Sequence, residues 1–159
     1  GIVYGLSAFG LSRQLKIFPK DAKKVIDQYF ALYKKVKIYM DETVAQATEV
    51  GYTLTMLNRK RYLPDLKSKN RQVREAAGRV AINSPVQGSA ADLIKLAMIQ
   101  LAGKIREKKL KSRMILQVHD ELVFECPEEE KQEIQALVKK EMEEVVPLKV
   151  PLVVDMGWG

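Results

Sequence analysis

Met114-Ile115-Leu116-Gln117-Val118-His119-Asp120-Glu121-Leu122-Val123-Phe124-Glu125 places two apolar runs on either side of three ionisable residues. The runs Met114 to Val118 and Leu122 to Phe124, rich in β-branched and aromatic residues, predict two short strands, half or fully buried. Asp120 and Glu121 would then fall at the tip of a hairpin. Tight hairpin turns favour Asn-Gly, Asp-Gly or Gly-X because they need positive φ, and the sequence supplies none of these. A local rule broken without local gain points to a functional site. Two carboxylates about 4 Å apart repel by about 4 kcal/mol at an effective dielectric of about 20, a large share of the ~5–15 kcal/mol net stability of a domain. Such a pair calls for a proton, a basic partner or a divalent cation, and ligands that are all oxygen suit Mg²⁺. Alternation along a strand sends neighbours to opposite faces, so Asp120 is the expected direct ligand and Glu121 the second candidate. The competing reading is a solvated turn.

The elements that must position this stretch are mostly helical. Pro19 followed by Lys20 to Gly51 predicts a helix, with Val25, Ile26, Tyr29, Phe30 and Tyr33 at three- and four-residue spacing, Val36, Met40, Val44 and Ala47 continuing it straight or after a bend, and Gly51 as its stop. The Tyr29, Phe30 and Tyr33 cluster reads as packing. Tyr52 to Thr55 and Arg61 to Leu63 predict a small hairpin, with Asn58 able to take the left-handed conformation. A long helix follows over about 71–109, with Ser84-Pro85 removing one backbone donor and Gly78 marking a place of close packing. Its later part carries Leu93, Ile94, Ala97, Leu101 and Ile105 as an apolar stripe. Pro127 to Val146 predicts an acidic amphipathic helix with Ile134, Leu137, Val138, Met142 and Val145 inward, and Val150 to Met156 a final strand. Ser7 and Ser12 are candidate caps, and Tyr4 is either a core aromatic or a stacking platform.

Arg79, Asn83 and Gln87, spaced i, i+4, i+8, share one side of the long helix and all present amide or guanidinium donors. Every Watson–Crick pair offers acceptors at similar minor-groove positions, so a row of donors there checks pair shape without choosing sequence. An exposed polar stripe is the bland alternative.

With 159 residues, 47% hydrophobic and 30% charged, the chain is long enough for a real core. No stretch reaches the ~18 apolar residues of a membrane span. The single cysteine, Cys126, excludes an internal disulfide and reads as a small buried hydrophobe in a reducing interior. The net charge of +7 is unevenly spread: residues 1–113 carry 23 Lys and Arg against 9 Asp and Glu, a net +14, and residues 114–159 carry 4 against 11, a net −7. Between Arg59 and Arg79 eight basic residues, among them Arg59 and Arg61, face only Asp65 and Glu75. That run is the best phosphate-contact candidate, beside the reading of a solvated basic loop.

Four stretches taken together, Gly1-Ile-Val-Tyr-Gly-Leu-Ser-Ala8, Arg59 to Asp65, Arg79-Val-Ala-Ile-Asn-Ser-Pro-Val-Gln-Gly-Ser-Ala-Ala-Asp92 and Gln117-Val-His-Asp-Glu-Leu-Val-Phe-Glu125, resemble in order and spacing the C-terminal part of family A DNA polymerases of the bacterial DNA polymerase I type. The resemblance implies an α+β fold, a helical fingers portion over 1–70 starting inside the nucleotide-closing helix, then a palm portion over 71–159 with long helices packed on a small antiparallel sheet. It implies that Asp120, with Glu121 beside it, binds catalytic Mg²⁺ in a two-metal site only partly encoded here, and that His119 contacts the primer end. Arg79, Asn83 and Gln87 would read the minor groove, Tyr4 would occupy the template-base position before closure, and Ser7 would lie near the template. The implied chemistry is attack of a primer 3′-hydroxyl on the α-phosphate of a deoxynucleoside triphosphate. The implied partners are primer-template DNA, deoxynucleoside triphosphates and the upstream remainder of the polymerase, in a cytoplasmic, nucleoid-associated protein.

Asn58 and Lys60 stand where the family often has Gly and Arg. The family's first metal-binding aspartate lies upstream of Gly1, and Asp65, Asp92 and Asp155 do not replace it, so the isolated chain is expected not to polymerise. Two further readings compete: a non-catalytic nucleic-acid-binding module, and one half of a split polymerase needing a partner chain. A metal phosphohydrolase built on His119-Asp120 would need more histidines than the one present.

Overall fold

The computed structural model describes all 159 residues. A 3-10 turn at Ile2–Tyr4 leads into α1 (Ala8–Leu15), α2 (Pro19–Leu32) and α3 (Lys34–Val50), then a hairpin of β1 (Tyr52–Leu54) and β2 (Lys60–Tyr62). A 3-10 turn at Pro64–Lys67 precedes the long α4 (Arg71–Glu107). A second hairpin, β3 (Arg113–Val118) and β4 (Glu121–Glu125), is followed by a 3-10 turn at Glu128–Glu130 and α5 (Lys131–Glu143). The fold class is α+β, with long helices and two separate two-stranded antiparallel sheets. The chain forms two compact units, Gly1–Ser89 and Ala90–Gly159, divided within α4.

In the first unit, Ser7 caps α1 by accepting a hydrogen bond from Gly10 N at 3.1 Å, pairing a donor that the first helical turn leaves open. Ser12 is not a cap: it is buried inside α1 and its hydroxyl donates to Phe9 O. The helix expected over 19–51 is two helices, broken at Tyr33, which leaves the helical region at φ −104, ψ 59. No Gly or Pro announces that break. Tyr33 N still closes α2 on Tyr29 O while Val36 N opens α3 on Tyr33 O, and the Tyr33 ring packs 4.9 Å from that of Tyr29. Gly51 ends α3 with φ 84, and Asn58 turns the first hairpin with φ 63, both as expected of residues that tolerate the left-handed region. The core is Ala47 from α3, Leu63 and Leu66 from the segment after β2, and Ala77 and Ala81 from α4. Gly78 is not a point of close approach; a Cβ there would meet only Val44 at 4.0 Å. Tyr4 is not a core residue, being 51% exposed.

In the second unit, α4 contributes Leu101 and α5 contributes Ile134, Leu137 and Val138 to one core, packed by Met114, Leu122 and Phe124 of the second hairpin. The apolar stripe is as expected, with Ala97 and Leu101 buried and Leu93, Ile94 and Ile105 half-buried. β3 departs from expectation: Ile115 and Leu116 are 59% and 55% exposed, because the sheet has two strands and covers one face only. Val150 to Met156 is not a strand. Its burial alternates along the segment, but it pairs with no ladder, and Val154 N donates instead to a Glu143 carboxylate at 3.0 Å. Cys126 is half-buried rather than buried, its sulfur 3.3 Å from Ser112 Oγ.

The loop from α4 to β3 is held by one carboxylate. Glu130 accepts from Lys111 N at 2.8 Å, Ser112 N at 2.8 Å and Ser112 Oγ at 2.6 Å. The Ser112 hydroxyl first, then the Lys111 amide, hold the Glu130 carboxyl below its ordinary range. A carboxyl depressed in the folded state contributes stability that is present above its unfolded value and lost as pH falls through the folded one. Glu130→Gln is therefore expected to lower Tm at neutral pH. The difference from the parent should close in melts run at progressively more acid pH; a gap that stays constant would show that the charge is not involved.

Candidate functional site

Strand pairing of Val118 with Glu121 leaves His119 and Asp120 as a two-residue turn. The positive φ such a turn needs, for which the sequence offers no glycine or asparagine, is supplied by His119 at φ 54. Histidine enters the left-handed region more readily than most residues, yet a non-glycine held there costs about 1–3 kcal/mol. Gln117 holds it: its side-chain amide donates to His119 O at 2.6 Å. The register slips between Met114 and Leu116, so Ile115 is a bulge that keeps Met114 and Gln117 on one face of the hairpin. The strands thus bury Met114 and Phe124 while presenting His119, Asp120 and Glu121, all three exposed.

Asp120 and Glu121 border an open groove of about 770 Å³ whose walls include Leu122, Phe124, Val154 and Asp155. No group of three or more His, Cys, Asp or Glu side chains stands close enough together to hold an ion. Asp120 lies in the turn itself, and Glu121 is already the first residue of β4. The hairpin therefore offers two hard oxygen ligands from adjacent positions and no sulfur.

In the first unit, α4 continues through Pro85, which removes the amide that would bond to Ala81 O. Arg79, Asn83 and Gln87 lie along one side of this helix, Arg79 and Gln87 exposed and Asn83 half-buried. Asn83 Oδ1 is buried without a hydrogen-bond partner, so its NH₂ is the polar group left to meet something outside the chain. A buried acceptor in that state costs about 1–3 kcal/mol. The Arg79 stem packs on Gly5: a Cβ at Gly5 would stand 3.0 Å from Arg79 Cγ, and φ +81 disfavours any side chain there. Arg79 is thereby brought against Gly5, the residue after Tyr4, whereas the Ser7 hydroxyl is engaged in its cap.

Several of the basic residues from Arg59 to Arg79 are engaged with the chain itself. Arg59 donates to Gly88 O at 3.0 Å, Arg74 to Ser68 O at 2.9 Å, and Arg71 pairs with Glu75 at 2.7 Å. Lys60 stands 4.6 Å over the Tyr52 ring, while Arg61 is exposed on β2. Sequence reasoning missed Gly88, Thr55 and Ser89, which join the first hairpin to α4. The available signal, a glycine inside a helix, was shared with Gly78 and could not choose between them.

The sequence model of DNA polymerase family A matches residues 1–159. DNA polymerase I of Caldicellulosiruptor bescii is 55% identical over 159 residues, covering 100% of this chain and 19% of that protein. The Mycobacterium tuberculosis H37Rv and Bacillus subtilis DNA polymerases I are 54% and 50% identical, each over 100% of this chain and 18% of theirs. A solved structure described as the POL domain of Pol1 from M. smegmatis in complex with DNA primer-template and dNTP superposes with a TM-score of 0.93 at 53% identity, over 96% of this chain and 27% of that one. Fold and sequence agree on the class, a helical fingers portion followed by a palm portion of a polymerase domain. The chain belongs to DNA polymerase family A, and spans about a fifth of the length of its bacterial DNA polymerase I relatives. No helix is long and apolar enough to cross a membrane.

Proposed function

We propose that this chain carries one part of the active site of a DNA-directed DNA polymerase, together with its primer-template minor-groove contacts. The observation that carries the reading is the His119-Asp120 turn, a left-handed histidine pinned by Gln117 so that two adjacent carboxylates stay exposed despite their repulsion. The donor set fits Mg²⁺, which binds proteins through one or two carboxylates and keeps several waters. Bound there, Mg²⁺ supplies charge stabilisation for the attacking and leaving oxygens of an in-line phosphoryl transfer.

The chain's own residues bind and orient. Asp120 is the direct ligand and Glu121 the second; His119 contacts the primer end. Asn83, with its NH₂ outward, and its neighbours Arg79 and Gln87 donate to minor-groove acceptors that all base pairs share. Tyr4 and Ser7 lie toward the template; Arg61 and Arg59 meet backbone phosphates. The substrates are primer-template DNA and deoxynucleoside triphosphates, in replication and repair at the nucleoid of the cytoplasm. Residues 1–70 act as fingers and 71–159 as palm, a division by role that differs from the division by compactness within α4.

A two-ion site would need more ligands than Asp120 and Glu121 provide. Purified 159-residue chain with Mg²⁺ and four nucleotides is therefore expected to give no primer extension. Adding a segment comprising the rest of a related polymerase domain should restore it. Extension by the chain alone would overturn the half-site reading, and failure of any complementation to restore it would favour a nucleic-acid-binding module without catalysis.

A further inference from the structure

Gly88 follows Gln87 on α4, and it is where the first hairpin meets that helix. A Cβ at Gly88 would lie 2.6 Å from Thr55 Cγ2 and 3.5 Å from an Arg59 guanidinium nitrogen. Two carbons that close overlap, so something must move. Thr55 is poorly able to yield: it is buried, it is β-branched, and its Oγ1 accepts from Arg59 N at 3.1 Å. Rotating it would break the turn that Thr55 N to Arg59 O and Asn58 N to Thr55 O, both 3.0 Å, also close.

Two further hydrogen bonds tie this turn to α4. Met56 N donates to Ser89 Oγ at 2.8 Å, and that hydroxyl donates in turn to Pro85 O at 2.5 Å. Arg59 Nη2 donates to Gly88 O at 3.0 Å. The residues gripped, Pro85 to Ser89, form the turn that carries Gln87. They also follow the proline at which the helix's own ladder has lost a donor, so an external grip has most to fix there.

We infer that Gly88, Thr55 and Ser89 form a latch that holds the Pro85 turn of α4 in one rotation, which makes Gly88 a positioning residue for Gln87 at the primer-terminal base pair. The inference rests on the proposal that Gln87 contacts the minor groove. A side chain at Gly88 would push the hairpin off the helix and free the turn to rotate, and a misplacement of an ångström is enough to alter how well a contact distinguishes a correct pair from a distorted one.

The test uses the complete polymerase as parent, Gly88→Ala, Thr55→Ser and the double variant Gly88→Ala/Thr55→Ser. Serine lacks the methyl that collides and keeps the hydroxyl that Arg59 N needs. Hydrogen exchange at Met56 and Tm read the latch; the ratio of extension rates from matched and mismatched primer ends reads the positioning. Gly88→Ala is expected to speed Met56 exchange about 10-fold and to lower the matched-over-mismatched ratio about 10-fold. It should also lower Tm, although alanine is the better helix former and an unobstructed site would gain stability. The double variant should recover all three readouts to within about 3-fold or a few degrees of Thr55→Ser.

Ser89→Ala, which removes the Met56 bond without adding volume, should move the readouts the same way by about 3-fold, and stands in if Gly88→Ala does not fold. Parent-like exchange with raised Tm in Gly88→Ala would overturn the latch. Altered and rescued exchange with an unchanged mismatch ratio would overturn the positioning role. Gln87→Ala in the same assay separates the two levels: if it leaves the ratio unmoved, the minor-groove reading fails whatever the latch does.

Discussion

Asp120→Ala in the complete polymerase is expected to slow single-turnover primer extension by about 10³-fold, because in the proposed site several kcal/mol of charge stabilisation would depend on a cation held by this carboxylate. DNA affinity should be unchanged or slightly tighter. Asp120 is exposed in a two-residue turn and makes no contact that holds the hairpin, so its loss leaves the fold intact and removes one negative charge from the surface proposed to face DNA. Asp120→Asn keeps the shape and loses the charge, and should be nearly as slow. Glu121→Ala should cost less, since Glu121 belongs to β4 and is proposed only as the second ligand. The measurements are rapid-quench extension and fluorescence anisotropy with the same primer-template. Extension at the parent rate by Asp120→Ala would remove the metal assignment and leave the nucleic-acid-binding module as the better account.

A second large effect is expected from salt. If the basic first unit contacts phosphates, affinity of the complete polymerase for primer-template should fall by at least about 10³-fold between roughly 50 and 200 mM salt, as for a protein making six or more phosphate contacts. Arg61→Ala should make the log–log slope shallower by about 0.9 and weaken all sequences alike. Arg61 is suited to this test because it is exposed on β2 with no hydrogen bond to the chain. Arg59→Ala should behave differently: it also removes the bond to Gly88 O, so Tm should fall together with the slope. An affinity that does not change with salt would show that the run from Arg59 to Arg79 is a solvated face whose charges serve the fold.

Most of the element map could be read from residue pattern. Gly51 and Asn58 announce their left-handed positions because few other residues tolerate them, and the stripe through Ala97 and Leu101 announces a buried helix face through its period. The change of apolar pattern after Tyr33 left room for a bend, but a full break there could not be read, because nothing in its type breaks a helix. Nor could the fate of 150–156. Alternation makes a segment fit to be a strand, but a strand exists only where a neighbour completes its ladder.

What the sequence by itself determined is the chemistry on offer: two adjacent carboxylates between apolar runs, a row of donors at helical spacing, and a basic first part distinct from an acidic last part. Composition and spacing are local properties, and these features need nothing beyond them. Only the tertiary structure decided that His119 and not a glycine makes the turn, with Gln117 and the bulge at Ile115 setting Asp120 at its tip. It alone decided that Asn83 turns its oxygen inward, and that Gly88 rather than Gly78 is the glycine of α4 pressed against the first hairpin. The physical reason is the same in each case. Both glycines carry the same helix-propensity cost, and only the distance to Thr55, more than thirty positions away in the chain, tells them apart.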